Sequence, residues 1–225
     1  MRSQRKIHHL LESNGTGRDF RYLEMMNPKH HFNWDDPIIV TDKIDGTTVQ
    51  ADNQIICQRR DNFKKGDPRK FTASEEERYH LEKLEESSQN KWIFEAVEPF
   101  REQFLRLSAG VAVYFECFGP KIGTRYRNME NHSIRVFDVA FKGQFSPFTE
   151  TIILCEMFDL PLVGYKLVQY HGIQDIIKWL QDARHADLKL YEFELEGWVI
   201  RQREEIAKIR KSDLEKLLVK VDKTK

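Results

Sequence analysis

The sequence predicts an α+β fold built around antiparallel β-sheet. Short runs of β-branched and aromatic residues recur along the chain, as in residues 38–40, 111–119 and 134–141, and turn residues separate several of them. Between these runs lie segments with apolar residues at helical spacing. Of the 225 residues, 40% are hydrophobic, which is enough for a sizeable core. We therefore expect one compact domain over residues 1–225, with residues 1–36 as an N-terminal extension.

The composition points to a protein of the cell interior. The mean hydropathy is −0.62, no apolar run approaches the roughly 20 residues that span a bilayer, and the start of the chain lacks the apolar core of a signal peptide. Cys57, Cys117 and Cys155 are odd in number and widely spaced, so we expect buried thiols rather than disulfides or a zinc site. We therefore expect an intracellular location.

The formal net charge is zero, so no global attraction to nucleic acid is expected. The charges are nevertheless segregated, because residues 59–70 and 208–225 are basic and residues 75–86 are acidic. A local basic surface is therefore compatible with the composition.

The first third of the chain predicts a small β-meander after an irregular start. Residues 1–36 show little periodicity, and we interpret the pairs His8-His9 and His30-His31 as solvated loop residues. Residues 38–43, 47–51 and 54–60 have strand character, and turns are expected at Asp45-Gly46 and Asp52-Asn53. Lys43 would lie near one end of this meander.

The rest of the chain predicts alternating helices and strands. A capping pattern at Ser74 favours an acidic helix over residues 74–86, and Pro99 interrupts helical spacing over residues 92–107. Residues 195–201 and 205–210 resemble the two strands of a hairpin, and Ser212-x-x-Glu215 predicts a capped terminal helix within residues 212–225.

Several charged residues lie inside or at the ends of these apolar strands, where a charge needs a partner. A triphosphate site needs cations against the phosphate oxygens, a carboxylate for a divalent ion and an apolar or aromatic wall for a base. The charged residues that meet this description are Lys43, Asp45, Arg59, Arg60, Glu116, Asp138, Glu196, Lys208 and Arg210.

Five short motifs in this order resemble those of the covalent nucleotidyltransferases, the superfamily of ATP-dependent RNA ligases, DNA ligases and mRNA capping enzymes. They are Lys43-x-Asp45-Gly46, Phe115-Glu116 with Gly119, Phe137-Asp138, Glu196-Gly197 and Lys208-x-Arg210. The resemblance spans about residues 40–211. It implies the antiparallel-sheet nucleotidyltransferase fold, an ATP-grasp-like ligase adenylation domain. A single K-x-D-G tetrapeptide is weak evidence, whereas five ordered matches are strong.

The resemblance implies a role for each matched residue. Lys43 would attack the α-phosphate of ATP and carry AMP on its side chain, for which the amine must first lose its proton. Arg59 or Arg60 would hold a phosphate or the ribose. Glu116 would accept a hydrogen bond from a ribose hydroxyl, and Phe137 would stack on adenine.

The remaining matches concern the phosphates and the metal. Glu196 would support Mg²⁺ or Mn²⁺, Lys208 and Arg210 would contact the phosphates, and Asp45 would position the lysine turn. Phe115 stands where many relatives have glycine, and Arg210 stands where lysine is usual, which keeps the charge and changes the geometry.

Structural roles for the same residues stay open. Lys43 would then be an ordinary strand-end lysine, Glu116 the ion-pair partner of an arginine, Phe137 a core aromatic, and Arg59-Arg60 one side of a solvated strand.

The segment after the last motif indicates the branch of the superfamily. DNA ligases and capping enzymes carry an OB-fold domain there, whereas residues 212–225 predict a helix and a Lys-rich tail. This favours an ATP-dependent RNA ligase acting on RNA ends or a nicked RNA duplex. A DNA ligase catalytic domain and a non-catalytic nucleic-acid-binding module of the same fold are the alternatives.

A basic segment suggests a surface for the RNA. Lys64, Lys65, Arg69 and Lys70, together with the Lys-rich C-terminus, are the obvious cations outside the nucleotide motifs, and we hypothesise that they hold the RNA backbone. A solvated loop is the alternative.

Overall fold

The computed structural model describes residues 7–14, 21–53, 55–58, 78–80, 91–122, 125–185 and 195–218. Its strands are β1 (His8–His9), β2 (Leu11–Asn14), β3 (Arg21–Met26), β4 (Ile38–Lys43), β5 (Thr47–Ala51), β6 (Ile55–Gln58), β7 (Arg78–His80), β8 (Val111–Phe118), β9 (Ser133–Phe141), β10 (Gln144–Phe145), β11 (Tyr165–Val168), β12 (Gly197–Gln202) and β13 (Glu205–Arg210). Its helices are α1 (Lys91–Val97), α2 (Arg101–Leu105), α3 (Phe148–Phe158), α4 (Ile173–His185) and α5 (Lys211–Leu218), with a 3₁₀ turn at Glu98–Phe100. The α+β prediction is therefore confirmed.

The chain forms two compact units, each with its own sheet and core. Unit 1 comprises Met1–Arg5 and Asp45–Val163, and unit 2 comprises Lys6–Ile44 and Gly164–Lys225. The chain passes from unit 2 to unit 1 directly after β4 and returns before β11. That residues 1–225 behave as one domain stays a prediction.

Unit 2 is organised around a five-stranded sheet in the order β1-β13-β12-β4-β11. All neighbours are antiparallel except β1 and β13, which run parallel. Helix α4 covers the sheet with Ile176, Ile177 and Leu180, the spacing that places three side chains on one helix face, and α5 adds Leu214. Burial of these apolar side chains determines which face of the sheet lines the hydrophobic core of unit 2.

Unit 1 is organised around a six-stranded antiparallel sheet in the order β10-β9-β8-β5-β6-β7. Helices α1 and α2 pack on this sheet. Phe104 of α2 stacks on Phe115 of β8, with 5.2 Å between the ring centroids. Pro99 lies in the 3₁₀ turn between α1 and α2, which confirms the predicted interruption. Cys117 and Cys155 are buried free thiols, as expected, and Cys57 lies in β6.

The N-terminal prediction was wrong. Residues 8–26 contain three strands rather than loop, with β2 pairing β3 as a hairpin and β1 pairing β13. His30 is buried, with 2% of its surface exposed, and is hydrogen-bonded to Glu205, so it is not solvated. The β1–β13 pairing and the contact of His30 with Glu205 join residues far apart in sequence, which local periodicity does not reveal.

Two further predictions need correction. Strands β4 and β5 do not form a meander, because β4 pairs with β12 and β11 whereas β5 pairs with β6 and β8. The helix predicted over residues 74–86 is replaced by β7 at residues 78–80, and its other residues lie outside the described ones. Cross-strand pairing with β6 overrides the local helical pattern there.

The terminal helix begins one residue earlier than predicted and with a different cap. Asp213 in the first turn of α5 accepts a hydrogen bond from the backbone N–H of Arg210 at 2.9 Å. This is the carboxylate half of a capping box, so Asp213 takes the capping role predicted for the Ser212 pattern. None of the described helices is long and apolar enough to cross a bilayer.

Candidate active site

The pairing of three neighbouring strands in unit 2 brings the first and last sequence motifs together. Lys43 lies opposite Gly197 in β12, and Gly197 lies opposite Arg210 in β13. Directly opposed residues of antiparallel strands point to the same face of a sheet. Lys43 and Arg210 therefore share a face, and the residue between them has no side chain.

The adjacent row of the same face carries another predicted cation. Thr41 lies opposite Val199, which lies opposite Lys208. Because side chains alternate along a strand, Lys208 is on the same face as Arg210. Three predicted site residues thus converge through strand register alone.

Glu196 connects these cations. Lys43 donates a hydrogen bond from Nζ to Oε2 of Glu196, and Arg210 Nε lies 2.8 Å from Oε1 as an ion pair. The Glu196 backbone is held as well, since its N–H donates to Lys43 O at 2.9 Å and its carbonyl accepts from the N–H of Lys211 at 3.0 Å. One carboxylate therefore neutralises two cations from two different strands.

Lys208 has an unusual electrostatic setting. Burial is the main cause that lowers its pKa below the ordinary value, and the neighbouring charges of Arg210 and Lys43 lower it further. Glu196 and Asp213 act in the opposite direction. A site in which like charges repel one another in this way favours the arrival of an anion such as phosphate.

Gly197 has a steric requirement that the motif alone does not express. A Cβ on Gly197 would lie 2.2 Å from Ile209 O and 2.6 Å from the Cα of Arg210. Only glycine allows β12 and β13 to approach this closely.

Unit 1 holds the turn that follows Lys43. The backbone N–H of Asp45 donates to the hydroxyl of Tyr126 at 3.3 Å, and the Asp45 carboxylate lies 3.6 Å from Arg125 Nε. A Cβ on Gly46 would lie 2.1 Å from Cys117 O. Gly46 is therefore required for close approach to β8 rather than for the hairpin turn that we predicted.

Glu116 lies on β8 of unit 1, opposite Thr48 of β5. The Thr48 hydroxyl donates to Oε2 of Glu116 at 3.0 Å, which fixes the orientation of the carboxylate. Across the other edge of β8, Glu116 is opposite Arg135. A structural and a ligand-binding role for Glu116 are both compatible with this setting.

Phe137 lies at an irregularity of unit 1. Tyr114 pairs with Asp138 and Phe115 pairs with Val136, so Phe137 is the extra residue of a β-bulge in β9. Bulges re-aim side chains and are frequent next to active sites. Asp138 is buried with 7% of its surface exposed, which agrees with its place in an apolar strand.

The remaining sequence predictions fall elsewhere. Arg59, Arg60 and the cations of the basic segment, Lys64, Lys65, Arg69 and Lys70, lie outside the described residues.

A family model named RNA ligase matches residues 36–221, which is most of the chain. The chain belongs to the RNA ligase family. This match and the fold confirm the resemblance to RNA ligases that the ordered motifs indicated.

Solved structures with the same fold are RNA ligases of low sequence identity. A Naegleria gruberi RNA ligase mutant without ligand has 16% identity and a TM-score of 0.57, with 81% of this chain and 52% of that chain covered. An archaeal ATP-dependent RNA ligase has 15% identity and a TM-score of 0.54, with 95% and 49% covered. The chain thus spans about half the length of these proteins. A comparison with curated sequences gave no match.

One further solved structure of the same fold contains ligands. A Naegleria gruberi RNA ligase mutant solved with ATP and Mn has 15% identity to this chain and a TM-score of 0.55, with 81% of this chain and 51% of that chain covered.

The carboxylates of this RNA ligase family member fit one kind of metal site. Within the described residues, no group of three or more His, Cys, Asp or Glu side chains is arranged to hold a metal ion. Mg²⁺ commonly binds through one or two carboxylates together with substrate phosphates. The Glu196 carboxylate has this chemistry, and its two oxygens contact Lys43 and Arg210.

Sequence reasoning missed the residues that support the motifs. Tyr126 and Arg125 hold Asp45, Thr48 orients Glu116, and Asp213 caps α5 next to Arg210. Only Asp213 had a local signal, since an acidic residue in the first turn of a helix is a common capping feature.

Proposed function

We propose that this chain is an ATP-dependent RNA ligase that joins RNA 5′-phosphate and 3′-hydroxyl ends through a covalent lysyl-AMP intermediate. The proposal is supported above all by the contact of Glu196 with both Lys43 and Arg210, beside Lys208 on the same sheet face. An amine, a carboxylate and two cations in one cluster are the groups that nucleotidyl transfer to lysine requires.

The first step is attack of Lys43 Nζ on the α-phosphorus of ATP. The N–P bond forms, the bond from the α-phosphorus to the bridging oxygen breaks, and pyrophosphate leaves with the bonding electrons. The amine must lose its protons in the process, and Glu196 Oε2 accepts a hydrogen bond from it. Because the displacement is in line, the chain contributes mainly position and charge.

Lys208 and Arg210 act on the phosphates in this proposal. Phosphate oxygens replace part of the contact between Arg210 and Glu196 and relieve the repulsion between the two cations. Glu196 would hold a divalent ion together with the phosphates, and such an ion would supply charge neutralisation at the reacting phosphate.

The resemblance assigns the nucleoside to the residues of the middle motifs. Glu116, oriented by Thr48, accepts from a ribose hydroxyl, and the bulged Phe137 stacks on adenine. Asp45, held by Tyr126, fixes the backbone that follows the nucleophile. Arg59 or Arg60 remains the predicted contact to a phosphate or the ribose.

The later steps move AMP to RNA and then release it. The RNA 5′-phosphate attacks the phosphorus of lysyl-AMP, so that the N–P bond breaks and an RNA-adenylate forms. The 3′-hydroxyl then attacks the 5′-phosphate, loses its proton and expels AMP. A 2′-hydroxyl distinguishes RNA from DNA at such ends.

The proposal is tested by incubating the chain with α-labelled ATP or GTP and Mg²⁺ or Mn²⁺, followed by denaturing electrophoresis. We expect a label that stays on the protein with ATP. Matched RNA and DNA nicks are then sealed in parallel, and faster sealing of RNA is expected. Equal sealing of the DNA nick contradicts the RNA ligase branch, and stable binding of RNA without any adduct indicates a non-catalytic module.

A further inference from the structure

The N-terminal strand of unit 2 lies outside the family match yet directly beside the predicted phosphate-binding cations. The match covers residues 36–221, whereas β1 is His8–His9. His9 is paired with Lys208 in the parallel β1–β13 register, and Leu10 N–H donates to Lys208 O at 2.7 Å. The backbone at Lys208 is thus held by a segment that the family motifs do not include.

The His9 side chain reaches the other end of the same short segment. His9 Nδ1 lies 2.9 Å from Oδ2 of Asp213, and the same oxygen accepts the backbone N–H of Arg210 at 2.9 Å. Asp213 is buried, with 3% of its surface exposed. A buried carboxylate oxygen shared by two donors links His9 to the backbone of Arg210.

His9 is itself fixed from several sides. Its ring stacks on Tyr22 with 5.5 Å between centroids, and the Tyr22 hydroxyl lies 3.1 Å from Nδ1. The His9 carbonyl accepts a hydrogen bond from Nε2 of the buried His30 at 3.1 Å, and His30 Nδ1 is 2.7 Å from Glu205. These contacts give the imidazole one orientation, with Nδ1 toward Asp213.

We propose that His9 is a positioning residue for nucleotidyl transfer, which acts through Asp213 to hold Arg210. The inference rests on the proposed function, because it assigns the N-terminal strand to the phosphate-binding cations of the lysyl-AMP reaction. His9 touches neither Lys43 nor Glu196 among the contacts of the described residues.

His9 can affect the Arg210 side chain because the atoms that a side chain can contact depend on where its backbone lies. Arg210 is the last residue of β13, and its side chain contacts Glu196. The backbone N–H of Arg210 donates to Asp213, so the position of Arg210 depends on the position of Asp213. Asp213 is also hydrogen-bonded to Tyr22, so loss of the His9 donor removes one of the contacts that fix the Asp213 carboxylate and loosens the end of the strand. A misplacement of about 1 Å in a reacting assembly reduces the rate by roughly 100-fold.

Two amide substitutions of His9 distinguish the hydrogen bond to Asp213 from the mere presence of a polar side chain. The amide nitrogen of asparagine occupies the place of histidine Nδ1, and that of glutamine occupies the place of Nε2. His9→Asn therefore keeps the donor to Asp213, whereas His9→Gln removes it while preserving a polar side chain of similar size. His31→Ala is the matched control, because His31 is an exposed histidine of the same N-terminal region.

The measurements are the rate of adduct formation at saturating ATP, the ATP concentration at half-maximal rate and the unfolding midpoint. We expect His9→Ala and His9→Gln to lower the saturating rate by roughly 10- to 100-fold in protein that is still folded. We expect His9→Asn to remain within about threefold of wild type and His31→Ala to be unchanged. If His9→Ala does not fold, the comparison of His9→Asn with His9→Gln decides the matter. Equal rates for these two variants overturn the proposal.

A double substitution tests whether His9 acts through Arg210. In an Arg210→Ala background, His9→Ala should lower the rate by less than about threefold, because the group that it positions is already gone. A full additional loss means that His9 acts by another route and overturns the inference.

The failures of the two proposals are distinguishable. Absence of any adduct in the wild-type chain with ATP, GTP, Mg²⁺ or Mn²⁺ refutes the proposed function and the inference with it. A wild-type adduct that forms equally fast in His9→Gln refutes only the inference.

Discussion

Lys43 and Glu196 are joined twice, once by their side chains and once by their backbones. Lys43 Nζ donates to Glu196 Oε2, and Glu196 N–H donates to Lys43 O at 2.9 Å. The two residues are 153 positions apart in sequence; Lys43 ends β4, and Glu196 directly precedes β12, the strand that pairs with β4. The lysine of the first motif and the carboxylate of the fourth are therefore one structural unit.

Replacement of Glu196 should separate its electrostatic role from its metal role. Glu196→Ala leaves Lys43 and Arg210 without their shared carboxylate, so adduct formation should fall by more than roughly 100-fold at any practical Mg²⁺ or Mn²⁺ concentration. Glu196→Asp should recover part of the rate with Mn²⁺. The measurement is the initial rate of lysyl-AMP formation.

Glu204→Gln is the control for this prediction, because Glu204 is exposed in the turn between β12 and β13. A wild-type rate in Glu196→Ala would make Glu196 purely structural.

Substitution of Gly197 should damage the sheet itself. In Gly197→Ala the new methyl group meets Ile209 O at 2.2 Å, so β12 and β13 must move apart. We expect a loss of about 2–3 kcal/mol in the free energy of unfolding and a strongly reduced adduct rate. Gly172→Ala is the matched control, since a Cβ there has nothing within 4 Å. Similar stability of the two variants, measured by urea unfolding, would contradict the strand spacing.

Asp42 should make the stability of the protein depend on pH. Its carboxylate is buried with 3% of its surface exposed, and neither oxygen has a hydrogen-bond partner among the described residues. Burial raises the pKa of Asp42 from 3.8 to about 7, and the nearby Lys211 offsets part of that rise. The folded protein therefore holds a proton on Asp42 that the unfolded chain releases above about pH 4.

This proton determines the sign of the effect. The free energy of unfolding should fall as pH rises from about 4 to about 7, by at most about 4 kcal/mol from this group, and should be flat above pH 7. Asp42→Asn should remove that slope, whereas Asp182→Asn, an exposed substitution on α4, should keep it. Urea unfolding across this pH range is the measurement, and an unchanged slope in Asp42→Asn would show that Asp42 is not its source.

The secondary-structure elements that were predicted correctly depend on neighbouring residues in the sequence. The hairpin of β12 and β13 consists of two strand-like runs around a short polar turn, and Pro99 removes a helix donor wherever it lies. The first three strands had no such signal, because β1 is only two residues long and gains its place by pairing with β13 almost 200 residues later. Asp45-Gly46 looked like a hairpin turn because sequence does not tell a turn from a passage between sheets.

The sequence motifs could be recognised in advance, whereas the residues that hold the motif side chains in place could not. The resemblance of the ordered motifs indicated one site for Lys43, Glu196, Lys208 and Arg210. Strand register and the contacts of Glu196 bring these four residues of unit 2 together. Tyr126 and Thr48 are ordinary residues in sequence, and only the fold places their hydroxyls against Asp45 and Glu116. Residues whose role is only to hydrogen-bond to a motif residue form no recognisable motif in the sequence.

The nucleophile is tested most directly by locating the nucleotide on the chain. The wild-type protein is incubated with ATP and Mg²⁺, digested, and analysed by tandem mass spectrometry, with Lys43→Ala and Lys43→Arg treated in the same way. We predict AMP linked to the side-chain nitrogen of Lys43 in the wild type and no adduct in either variant, both of which remain folded by circular dichroism. AMP on another residue, or an adduct of normal yield in Lys43→Ala, would contradict the lysyl-AMP mechanism.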